Sequence, residues 1–290
     1  MARAAADLVR AGWDMPSRSA EPLGGGMNSA TALVELSDGQ AVLKWVPDSA
    51  AVALAEGCEV ARRLARHGLV TGEPFPTTVG ELTYPVGQGA AALLRFVSGE
   101  QLDPRDPQDQ QDLAITLAAV HTSESTLQSG SFGCDQIAAM AYDVEPWIAP
   151  AIDRVLEEYH RLPALTWGLL HTDPAPEAFL RTNSGEVAVI DWTGAGRGPV
   201  LYDVASALMY LGGRQDAEPF WNAYVRYSPA PARELIEHLD AFTRFRGVVQ
   251  AAYFSMRIAT QDRTGIDHDD ENWKGLRDAE QMLRAARGLQ

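Results

Sequence analysis

The stretch HTDPAPEAFL at residues 171–180, followed by VAVIDW at residues 187–192, decides the interpretation of this chain. It predicts a strand, a loop carrying Asp173, a second strand and then Asp191, 18 positions further on. Phosphoryl transfer needs one carboxylate that orients or deprotonates the attacking hydroxyl and another that holds Mg²⁺ against the phosphates. The pattern therefore predicts a phosphoryl-transfer site, with both carboxylates held by short strands at the mouth of one cleft.

The N-terminal third is rich in strands. A loop at residues 22–29 contains three consecutive glycines, and alternating apolar residues at 31–36 and 41–46 predict a hairpin around Ser37-Asp38-Gly39-Gln40. Helical spacing follows at 50–67, and another strand is predicted at 91–97.

The pattern changes after Ser98-Gly99-Glu100. Helices are predicted at 111–121, over most of 143–160, at 201–210 and through much of the remainder. The sequence thus predicts an α+β chain with a small antiparallel-sheet lobe at 1–97, a hinge at 98–100 and a mainly helical lobe at 101–290.

These segments resemble the aminoglycoside-phosphotransferase and choline-kinase family. Residues 171–178 resemble its catalytic loop, usually written HGDxxxxN, and residues 190–192 resemble its IDW or IDF metal motif. Residues 194–205 resemble its G-P-x-x-Y-D-L-A stretch, and the likeness extends in order over residues 20–212. The resemblance implies a two-lobed, protein-kinase-like fold with ATP or GTP bound between the lobes.

The resemblance also implies roles for individual residues. Asp173 corresponds to the catalytic aspartate, Asp191 to the Mg²⁺ ligand and Lys44 to the lysine that contacts the α- and β-phosphates. Glu59 corresponds to the glutamate that pairs with this lysine, and Glu56 is the alternative. Further implied residues are Gly25, Gly26 and Asn28 of the phosphate-covering loop, Phe96 and Val97 beside the adenine, and His171 and Asp203 as structural support.

Ala178 is the main departure from the family pattern, because it stands where the catalytic loop usually has a metal-binding asparagine. Three explanations are open. Glu177 could supply the missing oxygen, Mg²⁺ could bind fewer protein ligands and more waters, or the chain could be a pseudokinase that binds a nucleotide without transferring phosphate. Thr172 also replaces the usual glycine.

Each feature has an ordinary alternative explanation. Glycine runs form turns, a strand lysine is often a solvated edge residue, and an aspartate after a strand can be a turn former. A purely structural helical partner protein is a third interpretation, and it predicts no effect of nucleotides. Because the glycine loop, lysine, glutamate, hinge and both aspartates occur in kinase order, we favour the kinase interpretation.

An acidic segment near the C-terminus is a candidate acceptor site for a cationic molecule, with Trp273 available for stacking on a cation. The alternative is a solvated acidic loop. Antibiotic amino sugars, a macrolide, choline-like amines, homoserine-like amino alcohols and a peptide Ser or Thr all stay open as acceptors. The candidate residues are Asp267, Asp269, Asp270, Glu271 and Trp273.

The composition is that of an ordinary globular protein, with 46% hydrophobic and 22% charged residues. The net charge of −15 argues against nucleic acid and anionic membranes as partners, and it suits a cationic substrate or simply solubility. Cys58 and Cys134 form no metal-type pair and are expected to be reduced core thiols. Since we find no apolar run of membrane length and no signal core at 1–16, we expect a cytoplasmic location.

Overall fold

The computed structural model describes residues 2–24, 29–266, 268 and 270–286, with the side chains of residues 2 and 3 excepted. The chain separates into two compact units. The first comprises Met1–Asp103 and Pro176–Gly196, and the second comprises Pro104–Ala175 and Arg197–Gln290. The segment that carries Asp191 therefore belongs to the first unit, and the predicted division of the chain at 98–100 stays a prediction.

The helices are α1 Ala2–Trp13, α2 Asp48–Arg66, α3 Pro107–Thr122, α4 Cys134–Met140, α5 Ile148–His160, α6 Leu201–Tyr210, α7 Glu218–Tyr227, α8 Ala232–Ala259 and α9 Asp270–Ala285. The strands are β1 Ser17–Leu23, β2 Ala30–Leu36, β3 Gly39–Pro47, β4 Tyr84–Pro85, β5 Gly89–Arg95, β6 Gly99–Gln101, β7 Thr126–Gln128, β8 Leu165–Leu170, β9 Phe179–Thr182, β10 Val187–Val189 and β11 Gly196–Pro199.

The first unit is built on an antiparallel sheet in the order β1-β2-β3-β5-β4. The β2–β3 hairpin closes at Gly39, whose φ of 135° is a conformation that other residues rarely adopt. Because neighbouring residues of a strand face opposite sides, Leu43 of β3 lies in the core that contains Val9 and Trp13 of α1. Val46 of the same strand lies on the opposite face of the sheet, in the core that contains Leu54 and Cys58 of α2.

Lys44 shares the α2 side of β3 with Val46, because the two residues are two positions apart. The register places Lys44 opposite Thr31 of β2 and Ala92 of β5, in the middle of the sheet. Lys44 is buried, so its ammonium group needs a partner within the unit.

A smaller sheet of the first unit, in the order β10-β9-β6, carries the segment before Asp191. Val189 of β10 pairs with Phe179 of β9, and its backbone NH donates to the carbonyl of Val70 at 2.8 Å. The backbone NH of Ile190 donates to the carbonyl of Ala178 at 2.9 Å. The position of Asp191 is therefore set by ordinary strand hydrogen bonds.

The second unit is mainly helical and contains the short sheet β11-β8-β7. The 28-residue helix α8 packs against α4, α5, α6 and α9, while α3 packs against α7. The ring of Phe245 on α8 lies 4.9 Å from that of Tyr159 on α5 and 6.1 Å from that of Tyr202 on α6, measured between centroids. This aromatic core fixes α6 and α8 relative to each other.

The predicted segments are confirmed for α2, α3, α6, β2, β3, β5, β8 and β10. Strands β1, β6, β7, β9 and β11 were not predicted, and the expected loop that starts at Pro22 is wrong for its first two residues, which end β1. Only Ala20 of the seven β1 residues is buried, so this edge strand lacks the apolar alternation on which the prediction depends. Both cysteines are free and buried, as expected.

Across the described part of the chain, the structure has no helix that is both long and apolar enough to cross a membrane.

Gly57 of α2 sets the distance between this helix and the segment after β10. A Cβ atom at Gly57 would lie 2.2 Å from the carbonyl oxygen of Trp192, which is backbone and cannot move away by a rotamer change. In Gly57→Ala, overpacking costs about 1–3 kcal/mol, whereas the gain in helix propensity is about 1 kcal/mol. We therefore expect a net loss in the free energy of unfolding, measured by urea denaturation.

Val52→Ala is the matched control, because Val52 is exposed on the same helix. It should leave the free energy of unfolding nearly unchanged. A Gly57→Ala variant as stable as the wild type would show that α2 does not pack closely on the Trp192 backbone.

Candidate functional site

The first unit contains an ion pair between Lys44 and Asp191. The Nζ atom of Lys44 lies 2.5 Å from Oδ1 of Asp191. The lysine side chain is 8% exposed and the aspartate side chain is 55% exposed. A buried cation thus holds a carboxylate that is accessible to solvent.

The loop around Asp191 has a specific backbone conformation. Asp191 has φ of 65°, in the left-handed region that aspartate tolerates better than most residues. The indole NH of the buried Trp192 donates to the carbonyl of Val189 at 3.0 Å, and the Thr193 hydroxyl donates to Oδ1 of Asp191 at 3.2 Å. The carboxylate is therefore oriented by its own turn as well as by Lys44.

The expected pairing of Lys44 with Glu59 or Glu56 is wrong for this structure. Glu59 is exposed and accepts a hydrogen bond from Arg62 at 2.5 Å, and Glu56 is exposed on the same helix. The physical reason is the register of α2, which directs Gly57 and Cys58 inward instead. The role predicted for Glu59 in nucleotide binding stays a prediction.

Cys58 lies near Lys44 inside the first unit. Burial raises the pKa of the Cys58 thiol to about 12, although the charge of Lys44 acts in the opposite direction. The thiol is therefore neutral at physiological pH, and Asp191 is the anion that balances Lys44.

The segment with Glu177 and Ala178 forms a short 3-10 turn at Pro176–Ala178 in the first unit. Ala178 is buried, whereas Glu177 is exposed. Over the residues that the structure describes, no group of three or more His, Cys, Asp or Glu side chains could hold a metal ion. Mg²⁺ is commonly bound through one or two carboxylates plus substrate phosphates, so the exposed carboxylates of Asp191 and Glu177 are donors of a suitable kind.

The segment predicted to receive the adenine follows β5. Phe96 is 37% exposed, and its backbone NH donates to the carbonyl of Gln40. Val97 is half-buried, and its side chain lies close to Gly72. Gly25, Gly26 and Asn28 of the predicted phosphate loop lie outside the described residues.

In the second unit, the loop after β8 is held by Asp203. This fully buried side chain accepts hydrogen bonds from the backbone NH groups of His171 at 2.7 Å and Thr172 at 2.9 Å. It also lies 3.0 Å from Nε2 of His121, whose Nδ1 is 2.6 Å from the hydroxyl of Tyr224. A connected polar network therefore fixes the two residues that precede Asp173.

Asp173 itself is exposed and has two partners in the second unit. The hydroxyl of Tyr210, at the end of α6, donates a hydrogen bond to its Oδ1. The Nη2 atom of Arg246, from α8, lies 3.8 Å from the same oxygen. Neither partner was predicted from the sequence, although Tyr210 follows Asp203 by seven positions, a spacing that places two helical residues on one face.

The described members of the acidic C-terminal cluster lie at the start of α9. The carboxylate of Glu271 accepts from the backbone NH of His268 at 2.9 Å, and Asp270 is in the first helical turn. Acidic residues are stabilising at a helix N-terminus, which favours the structural interpretation of these two residues. Trp273 is partly exposed, and Asp267 and Asp269 lie outside the described residues.

The backbone at Thr172 is strained. Its φ is 73°, and a β-branched residue is a clear outlier in this region. Such strain costs about 1–3 kcal/mol, whereas the extra chain entropy of glycine costs about 0.5–1 kcal/mol. In Thr172→Gly, we expect the free energy of unfolding to rise by roughly 1 kcal/mol, because the backbone bond to Asp203 is kept. Chemical denaturation measures this change.

Thr172→Ala is the control for the side chain itself. It removes the hydroxyl but keeps the Cβ atom, so its free energy of unfolding should rise by less than that of the glycine variant. A loss of stability in Thr172→Gly would show that the Thr172 side chain contributes more than its backbone strain costs.

Comparisons with known proteins identify the fold and the family of this chain. A search of curated protein sequences finds no significant match. Among solved structures, the choline kinase LicA from Streptococcus pneumoniae has a TM-score of 0.72 at 16% identity, covering 98% of each chain. A microcompartment-associated aminopropanol kinase has a TM-score of 0.72 at 20% identity, covering 99% of each chain.

A spectinomycin phosphotransferase, solved with ADP and spectinomycin, has a TM-score of 0.68 at 13% identity and covers 100% of this chain and 99% of its own. These similarities confirm the predicted α+β, protein-kinase-like fold. At the sequence level, residues 19–236 match the family model of the phosphotransferase enzyme family, which spans most of the chain. The chain therefore belongs to the phosphotransferase enzyme family, as the resemblance of its motifs predicted.

Proposed function

We propose that the protein transfers the γ-phosphate of ATP or GTP to a hydroxyl group of a small molecule. The observation that carries this proposal is the pair between the buried Lys44 and the exposed Asp191. This pair brings an ammonium group and a carboxylate that could bind a metal ion together in the first unit. The chain belongs to a phosphotransferase family. Structural neighbours solved with ADP, AMP and AMP-PNP support a nucleotide as the phosphate donor.

In this proposal, Lys44 contacts the α- and β-phosphates and Asp191 provides the protein's carboxylate for Mg²⁺. Mg²⁺, when bound, neutralises charge on the phosphate oxygens. Asp173 accepts the hydrogen bond of the acceptor hydroxyl and orients its oxygen for attack on the γ-phosphorus. The bond from this oxygen to phosphorus forms, the bond from phosphorus to the nucleoside diphosphate breaks, and the hydroxyl proton passes through Asp173 to solvent.

Glu177 is the proposed auxiliary carboxylate for the metal. It is exposed in the turn next to Ala178, where the family pattern has asparagine. A longer acidic side chain one position earlier has an oxygen donor of the type that Mg²⁺ prefers. The loss of the asparagine is therefore compatible with transfer activity.

We propose a small alcohol that also carries an amine as the acceptor. The solved neighbours include kinases named for choline and aminopropanol and phosphotransferases solved with spectinomycin and hygromycin B. The net charge of −15 favours the approach of a cation. The role predicted for Asp267, Asp269, Asp270, Glu271 and Trp273 in binding this amine stays a prediction.

Ala178 supports one second candidate, a nucleotide-binding protein without transfer activity. In that case the protein would bind ATP or GTP at Lys44 and Asp191 but would not consume it. The two candidates differ in nucleotide turnover, which a single assay measures.

The test is nucleotide consumption with Mg²⁺ and either ATP or GTP, across a panel of choline, 1-amino-2-propanol, spectinomycin and amine-free alcohols. We expect turnover with at least one amine-bearing acceptor. Asp173→Asn should lower kcat by about 10²–10⁴-fold while the nucleotide still raises the melting temperature. Asp191→Asn should remove the Mg²⁺ dependence of that rise, and Lys44→Met should weaken the rise itself.

Asp153→Asn is the matched control, because Asp153 is an exposed aspartate on α5. It should leave kcat unchanged. A nucleotide-dependent rise in melting temperature without turnover of any acceptor would favour the non-catalytic candidate. Absence of any nucleotide effect would contradict both candidates.

A further inference from the structure

The carboxylate of Asp173 is exposed to solvent and yet has two protein partners on one of its oxygen atoms. Its side chain is 66% exposed, but its Oδ1 accepts the hydroxyl proton of Tyr210 and lies 3.8 Å from the guanidinium of Arg246. Tyr210 is part of α6 and Arg246 is part of α8, so two rigid helices converge on one oxygen atom. An exposed surface aspartate normally has no such support.

Arg246 is a buried cation of the second unit. It is only 9% exposed, and within the part of the chain that the structure describes its Nε atom has no hydrogen-bond partner. Burial alone would lower the pKa of Arg246, but Tyr202, Tyr210 and Asp173 together hold it above its ordinary value. The guanidinium is therefore charged at every physiological pH.

A buried cation of this kind contributes little to the stability of the folded protein. Burying a charge costs several kcal/mol after relaxation, and an unpaired buried Nε adds to this cost. Replacing a buried charged group by an apolar residue of similar volume is often neutral or stabilising. The retained charge therefore points to a role at Asp173 rather than to a role in folding.

Tyr210 is a reliable donor to Asp173. Burial and the negative charge of Asp173 raise the pKa of the Tyr210 hydroxyl above its usual value. The hydroxyl keeps its proton, and the hydrogen bond to Oδ1 persists wherever Asp173 is ionised. The torsion that rotates a carboxylate is broad when nothing restrains it, so this bond selects one orientation.

We propose that Tyr210 and Arg246 are positioning residues that hold Asp173 by Oδ1, so that Oδ2 is the oxygen that receives the acceptor hydroxyl. This inference rests on the proposed transfer function and specifies which atom of Asp173 faces the reacting group. The O–H of the acceptor donates to Oδ2, and its proton moves to Oδ2 as the oxygen–phosphorus bond forms and the bond to the nucleoside diphosphate breaks. The proton then leaves to solvent, and Asp173 is regenerated as a carboxylate.

Tyr210→Phe tests the proposal, because it removes one hydroxyl and keeps the ring. The assay uses Mg²⁺–ATP with the acceptor that shows the highest turnover in the panel above. Misplacing a reacting group by about 1 Å can cost roughly 10²-fold in rate, so we expect kcat to fall by about 10–100-fold. The KM for the acceptor and for ATP should change by less than about threefold, since oriented attack rather than binding is lost.

A double-mutant comparison separates positioning from a general structural effect. In an Asp173→Asn background, Tyr210→Phe should have almost no further effect on kcat, because its target carboxylate is gone. Arg246→Lys, which keeps the positive charge, should retain more activity than Arg246→Met. Tyr227→Phe is the matched control, because Tyr227 is an exposed tyrosine on α7, and it should leave kcat unchanged.

The outcomes are distinguishable. Failure of the wild-type protein to turn over any acceptor would overturn the proposed function and this inference together, before any variant is made. An active wild type with an unchanged kcat in Tyr210→Phe would overturn the positioning role alone. Equal losses from Tyr210→Phe in the wild-type and Asp173→Asn backgrounds would do the same, because they would assign Tyr210 to general stability.

Discussion

A buried lysine ammonium is the constraint on which the first unit depends. Lys44 lies in the middle of a sheet with its side chain 8% exposed, and a charge in such a place is costly unless it is paired. Its counter-ion, Asp191, comes from a strand end 147 positions later. The hairpin register positions Lys44, and the hydrogen bonds of β10 and the close approach of Gly57 to the Trp192 backbone position the segment with Asp191.

The second unit depends on a buried anion instead. Asp203 is fully buried and accepts hydrogen bonds from the backbone of the loop that carries His171 and Thr172. Charge-assisted hydrogen bonds are stronger than neutral ones, and Thr172 is consequently held at a positive φ that it would not adopt alone. The conformation of the loop before Asp173 is thus determined by its hydrogen bonds to Asp203 of α6 rather than by the preferences of the local sequence.

The parts of the fold that the sequence predicted are those with a strong local pattern. Alternation predicted the β2–β3 hairpin, and the order of motifs placed Lys44, Asp173 and Asp191 in a phosphotransferase. Strand β1 was missed because only one of its seven residues is buried, so the strand is defined by its pairing with β2 rather than by an apolar pattern of its own.

The contacts that the candidate site residues make could not be predicted from the sequence. The family resemblance implies an ion pair between Glu59 and Lys44, but the rotation of α2 about its axis leaves Glu59 exposed beside Arg62. Arg246 lies 73 positions after Asp173, and only the packing of α8 brings the two side chains together. A small rotation of a helix about its axis changes which side chains face a neighbouring element while the apolar pattern of the sequence stays the same. Such contacts therefore follow from tertiary packing and not from sequence spacing.

The two aspartates share one physical arrangement in their separate units. Asp191 and Asp173 are 55% and 66% exposed, and a cation that is itself nearly buried lies behind each carboxylate. In each case the cation's helix or strand is rigid, so the carboxylate has a fixed orientation before any ligand arrives. Preorganisation of this kind lowers the cost of ordering charged groups during reaction. A carboxylate that is exposed and already oriented can accept a metal ion or a hydroxyl with little rearrangement, and such preorganisation suits phosphoryl transfer.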